Sequence, residues 1–191
     1  MQNEFFKIGG IELKYHEPTN SERRIEVPLL AHFIQRADKD EVIEVGAVSN
    51  HYFPSHHRIY DPTDERAIKE FAERLDYVGK NVVSVSTVEH IGRAEYGLSA
   101  TSPYRAIIAL SKMLEAETYL ITWPIGYNTL LDSYARNVLT IFNDKNIITA
   151  KRDADNNWEI TNPRSFDFEY NSPYPLGNAI VIITNLEELL S

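Results

Sequence analysis

The stretch EVIEVGAV, Glu41 to Val48, decides the fold. A short β-branched run that stops at a glycine reads as a buried strand entering a turn. Glu44 stands two residues before Gly46, a reduced form of a nucleotide-binding loop. The glycine lets the backbone pass close to a ligand, and the acid anchors either the turn or an ammonium group. A glycine-terminated core strand without a ligand is the other reading of the same residues.

Downstream, the pattern repeats. HRIYD (His57–Asp61) is a second strand stopped by Pro62, and DPTDERAIKEFAERL predicts a helix capped by Asp61 or Thr63. NVVSVST (Asn81–Thr87) is a third strand, followed by a loop with Gly92 and Gly97. The helix PYRAIIALSKMLEA comes next, with Pro103 in its first turn. TYLITWP (Thr118–Pro124) is a fourth strand, and a helix is expected around Asn128–Phe142. NIITAKR and NAIVIIT read as closing strands around a polar, aromatic-rich insertion. Upstream, Thr19 and Glu22 form a T-x-x-E capping box before ERRIEVPLLAHFIQRA, whose Ile25, Leu29 and Phe33 have helical spacing. Residues 1–20 form an N-terminal extension and 21–191 a single domain without internal repeats. Alternating strands and helices with short connections define an α/β fold with a mainly parallel sheet. Such sheets bind ligands beyond the carboxyl ends of their strands.

The strand ends carry the candidates. Asp61 ends the second strand, where a carboxylate accepts bonds from two ribose hydroxyls or caps the following helix. Ser86-Thr87-Val88-Glu89-His90 closes the third strand. A Glu-His pair beside a crevice supplies a general base or two metal ligands, and a loop histidine bonded to backbone is the alternative. Metal binding wants a third or fourth ligand, and no H-x-x-x-H or carboxylate repeat lies nearby, so no metal is expected. His51 and Tyr52 face a ligand or pack the loop, while His56 and His57 read as solvated.

Composition narrows the function. The 191 residues carry a net charge of −9, with 43% hydrophobic and 25% charged residues. An acidic surface with scattered Lys and Arg disfavours general nucleic-acid binding and favours a small-molecule partner. Cysteine is absent, which excludes disulfides, thiolate metal sites and cysteine nucleophiles and suits a cytoplasmic setting. No apolar run approaches the roughly 18 residues of a membrane span, and the first residues do not resemble a signal peptide. Self-association is left open.

Four segments carry a resemblance. VIEVGAVSNHYFP (Val42–Pro54) followed by YDPTDE, VVSVSTVEHIG (Val82–Gly92) and LITWPIGYNTLLD (Leu120–Asp132) are similar to class I S-adenosylmethionine-dependent methyltransferases. More narrowly they resemble a bacterial and archaeal methyltransferase-like group with the pattern EVGNVLSHY, STLEHVG and PLGYN. SERRIEVPLL and SPYPLGNAIVI extend the similarity from about Ser21 to Thr184. The resemblance implies a Rossmann-like, mostly parallel seven-stranded sheet with its last strand antiparallel and helices on both faces. It implies S-adenosylmethionine across Glu44, Gly46, Ala47 and Asn50, with Asp61 on the ribose and Asp76 the candidate acid at the adenine. Ser86 and Thr87 would line the cofactor, and His90 with Glu89 would act as base at the reacting centre. The acceptor would be a small molecule methylated on oxygen or nitrogen, such as a sugar or natural-product intermediate, covered by Met1–Asn20 and Asp153–Pro175. Only Gly46 remains of the usual three loop glycines, and Ser86 replaces the first acid of the E-x-x-E-H seen in metal-dependent relatives. The Ser86 departure speaks against a magnesium site, and loss of the loop glycines motivates an alternative: a degenerate methyltransferase fold kept as a binding or assembly subunit.

Overall fold

The computed structural model describes residues 4–37, 41–95, 98–99, 101–142, 144–161 and 164–191. The expected Gly97 lies outside the described residues. The chain opens with a hairpin, β1 (Phe5–Ile8) and β2 (Ile11–Lys14), followed by helix α1 (Arg23–Arg36). The central sheet contains β3 (Val42–Val45), β4 (Arg58–Tyr60), β5 (Asn81–Val85), β6 (Thr118–Pro124), β7 (Ile147–Arg152), β8 (Trp158–Ile160) and β9 (Ala179–Thr184). Helix α2 (Tyr104–Met113) joins β5 to β6. Helix α3 (Thr129–Tyr134) continues through a π-helical turn (Ala135–Leu139) on the way to β7.

The seven strands are ordered β4-β3-β5-β6-β9-β7-β8. β4, β3, β5 and β6 run parallel, while β9 is antiparallel to both β6 and β7. The expected single reversed strand needs correction. β8, from the insertion after β7, pairs antiparallel with it and makes a second reversed strand at the sheet edge. The sheet is therefore mixed, with β8 and β9 both reversed.

Each face of the sheet is covered. Ile25, Leu29, Leu30 and Phe33 of α1 pack with Phe6 and Ile8 of the hairpin on Val83, Val85, Leu120 and Ile182. On the other side, Ala106, Ala109, Leu110 and Met113 of α2, Leu131 of α3 and Ala135 of the π-helical turn pack on Val82, Ile121 and Val181. Both faces of the central strands are apolar, so β3 and β9 are buried at every position. Residues 1–20, read as an extension, bring their described hairpin into the first of these cores. Among the described residues no helix is long and apolar enough to cross a membrane.

Two local expectations fail for physical reasons. DPTDERAIKEFAERL is not helical: Tyr60 bridges Ile68 in parallel, and only Ala72–Arg74 form a turn of 3-10 helix. Asp61 holds the chain in a tight turn through the amides of Thr63 (2.7 Å) and Asp64 (3.0 Å), and Ile68 then donates to Ile59 O at 2.8 Å. Strand pairing thus competes for the backbone that a helix would need. The capping box is likewise not made. Glu22, the N-cap of α1, makes no side-chain capping bond: its carboxylate accepts from the Gly177 amide at 3.1 Å, and the Arg23 amide donates instead to Ser21 Oγ at 3.2 Å.

Candidate active site

The fold leaves an open cavity of about 580 Å³ beyond the carboxyl ends of β3, β4 and β5. That volume falls in the range of small-molecule sites. Gly46, Ala47, Asp61, Ser86, Thr87 and His90 all line it, so six of the expected site residues share one space. Glu44, Asn50 and Glu89 stand behind its wall.

Glu44 is fully buried and serves the turn. Its Oε1 accepts from the Ser49 amide at 2.8 Å, and Oε2 accepts from Ser49 Oγ at 2.5 Å and lies 2.6 Å from His57 Nε2. The His57 side chain is only 1% exposed, which corrects its reading as a solvated loop residue. Of the two roles open to Glu44, anchoring the turn is the one its geometry serves. Gly46 follows at φ 90°, a conformation that glycine adopts without a side-chain penalty.

Asp61 reaches back to the same loop, where its Oδ2 accepts from the Ala47 amide at 3.3 Å. Its Oδ1 takes the Thr63 and Asp64 amides and the Thr63 hydroxyl at 2.7 Å. A carboxylate has about four lone-pair directions, so Oδ2 retains capacity toward the cavity. Asp76 is bonded to the amide of Val78 and does not line the cavity, whereas Glu70, Phe71 and Glu73 do.

At the end of β5, Ser86 sits at φ 38°, in the left-handed region. Strain of this kind persists only where surrounding contacts enforce it. Here Ser86 Oγ donates to the buried Glu26 at 2.8 Å, and Thr122 Oγ1 donates to the same carboxylate at 2.6 Å. Burial raises the Glu26 carboxyl above its ordinary value, opposed by the Arg23 guanidinium.

His90 is held from several sides. Its Nδ1 is hydrogen-bonded to Glu95 Oε2, and Nε2 lies 3.5 Å from Glu89 Oε1. Glu95 is fixed in turn by the Tyr127 hydroxyl at 2.9 Å and Arg93 Nε at 2.6 Å. Although burial opposes it, these donors hold the Glu95 carboxyl below the usual range. A carboxylate on Nδ1 orients the ring and favours a proton there. The Asn128 amide donates to Glu89 O at 3.0 Å, so the segment after β6 clamps this loop. Glu89 itself is fully buried with Oε2 unpartnered, and burial raises its carboxyl well above the ordinary value.

Glu95 escaped the sequence reading. It lies five residues past His90 in HIGRAE, outside any strand, and only the fold of that loop returns it to the ring. Arg23, Phe71 and Arg105 also line the cavity without having been expected there. Among the described residues of Met1–Asn20 and Asp153–Pro175, the segments expected to cover the acceptor, none lines this wall. Trp158 instead packs in the core, and Tyr127 acts from behind through its hydroxyl.

Among the described residues no group of three or more His, Asp or Glu side chains is placed to hold a metal ion. No family model matches the chain, and no curated protein is similar enough in sequence to be matched to it.

Proposed function

We propose that the protein is an S-adenosylmethionine-dependent methyltransferase of Rossmann-like fold that acts on a small-molecule acceptor. The observation that carries this reading is the convergence of Gly46, Asp61, Thr87 and His90 on one cavity at the parallel strand ends. Further support comes from β9, a reversed last strand inserted between β6 and β7, although the second reversed strand β8 departs from the fold expected. The cavity is roomy enough for a nucleoside, and the backbone turn at Gly46, which lines it, suits close approach of one.

The cofactor supplies an electrophilic methyl group on a sulfonium. The chain has to bind and orient the two reactants and take one proton. In this reading Asp61, which lines the cavity and accepts one backbone amide on Oδ2, takes the ribose hydroxyls, and the Gly46 turn and Thr87 form the adjoining wall. An oxygen or nitrogen acceptor loses a proton as it gains the methyl, and a positioned base accelerates that transfer. His90 fits the task better than Glu89. It lines the cavity, and Glu95 directs its proton to Nδ1, whereas Glu89 is buried behind the wall, where burial raises its carboxyl above the ordinary value. Calorimetric titration with S-adenosylhomocysteine tests the reading: one site per chain is expected, and no heat at millimolar ligand overturns it.

A second reading, a binding or assembly subunit without methyl transfer, draws on Asp61 and Glu44. Both acids are already engaged by the chain's own amides, as in a turn that needs no ligand. Absence of cofactor binding, together with co-purification of a larger partner, would favour it.

A further inference from the structure

The first turn of α1 grips the carboxyl end of β5 at two successive residues. Arg23 Nη1 donates to Val85 O at 3.4 Å, and the Ser86 hydroxyl donates to both oxygens of Glu26 at 2.8 Å. Among the described residues the Glu26 carboxyl group is the one hydrogen-bond partner of that hydroxyl. Glu26 is in turn fully buried, with one oxygen fixed by Thr122 Oγ1 at 2.6 Å and the other by Arg23 Nη1 at 2.9 Å.

Ser86 is the pivot between the strand and the turn that follows. Its amide still belongs to the sheet, donating to Thr122 O at 3.0 Å, whereas its φ of 38° swings the chain out of it. Thr87 and the 3-10 turn Val88–His90 come next, closed by the His90 amide on Thr87 O at 3.0 Å. Thr87 and His90 both line the cavity, so a change of conformation at Ser86 displaces both. A left-handed serine carries backbone strain, while glycine adopts the same angle freely. The bonds to Glu26 oppose relaxation of that strain. We propose that Glu26 is a positioning residue: its buried carboxyl group holds Ser86 left-handed and thereby aims Thr87 and His90 into the cavity. The inference rests on the methyltransferase reading only for its probe ligand.

Two substitutions at one position separate strain from contact. Ser86→Ala removes the hydroxyl and keeps the side chain that makes a left-handed backbone costly, whereas Ser86→Gly removes both. Each takes the same hydroxyl from the cavity wall, so any direct bond from it to a ligand cancels in the comparison. In calorimetric titration of the whole chain with S-adenosylhomocysteine, Ser86→Ala is expected to bind roughly tenfold or more weakly than Ser86→Gly, the scale of one strained residue. Glu26→Met, which removes both acceptor oxygens, should weaken binding on its own and add little on top of Ser86→Gly. Equal affinities of Ser86→Ala and Ser86→Gly overturn the inference, even where Glu26→Met fails to fold. Lower urea stability of Ser86→Ala with wild-type affinity does the same, since a bond that only stabilises the fold gives that result. The amide and imidazole NMR resonances of Thr87 to His90 supply a measurement without ligand. Ser86→Ala is expected to shift them further from wild type than Ser86→Gly does, and Ser86→Ala resonances at their wild-type positions overturn the inference. If S-adenosylhomocysteine does not bind wild type, the methyltransferase reading falls and these resonances alone decide the role of Glu26.

Discussion

Gly46 and Thr87 close on each other across the ends of β3 and β5: a Cβ built at Gly46 would lie 2.7 Å from Thr87 Cγ2. Gly46 also sits at φ 90°. The turn and the threonine together make one wall of the cavity, so the site depends on a missing methyl group.

Gly46→Ala is accordingly expected to lower stability by about 2 kcal/mol, from backbone strain and overlap with Thr87. It should also abolish cofactor binding. Urea denaturation and calorimetric titration of the variant check both effects. A variant as stable as wild type that still binds would contradict the close approach.

Replacing Glu95 with Gln keeps a hydrogen-bond acceptor for the His90 ring but removes the negative charge. Methyl transfer from labelled cofactor into a small-molecule extract is expected to fall roughly tenfold, with cofactor affinity unchanged. His90→Gln should fall by about a hundredfold or more, in the range of a lost general base. Loss of cofactor affinity in either variant would assign the pair a structural task instead.

Glu44 and His57 form a buried pair behind the Gly46 turn. Glu44→Ala strips Ser49 and His57 of their shared partner and is expected to cost about 3 kcal/mol, the scale for breaking a buried pair. A double-mutant cycle with His57→Ala measures the coupling. Additive effects would show that the pair is incidental.

Stability should also depend on pH through Glu89. Burial raises its carboxyl, so the native chain keeps a proton that the unfolded chain releases above about pH 4.3. The native state then holds more protons than the unfolded one. Stability from this group is full at acid pH and is lost as pH rises toward the native pKa. Glu89→Gln cannot ionise, and its melting temperature should fall less than that of wild type between about pH 5 and pH 8. Glu26 and Asp132 are raised in the same direction and keep some slope in the variant. Parallel melting curves would show that Glu89 is already ionised in the folded chain.

Much of the sheet was legible because its strands are short β-branched runs with punctuation: Val42–Val45 before Gly46, Thr118–Pro124 at its proline, Ala179–Thr184 before Asn185. The pattern also brought Gly46, Asp61, Thr87 and His90 to one end of it. Composition misled at residues 61–75, where good helix formers and apolar spacing give way to the pairing of Ile68 with Ile59 and Tyr60. Trp158–Ile160 was hidden inside a polar segment because an edge strand of three residues, two of them exposed, leaves almost no hydrophobic signal. His57 looked solvated beside His56, since nothing local announces a partner 13 residues away. Glu95 and Arg23 were missed for the same reason: each reaches the site through a contact set by tertiary structure.

Titration of the wild-type chain with S-adenosylmethionine, followed by calorimetry and by thermal unfolding, tests the central claim most directly. A single site with a melting temperature that climbs with ligand concentration is the expected result, because a ligand of the native state must stabilise it. No heat and no shift at about 1 mM ligand, where even a binder weaker than about 0.1 mM would register, would contradict it.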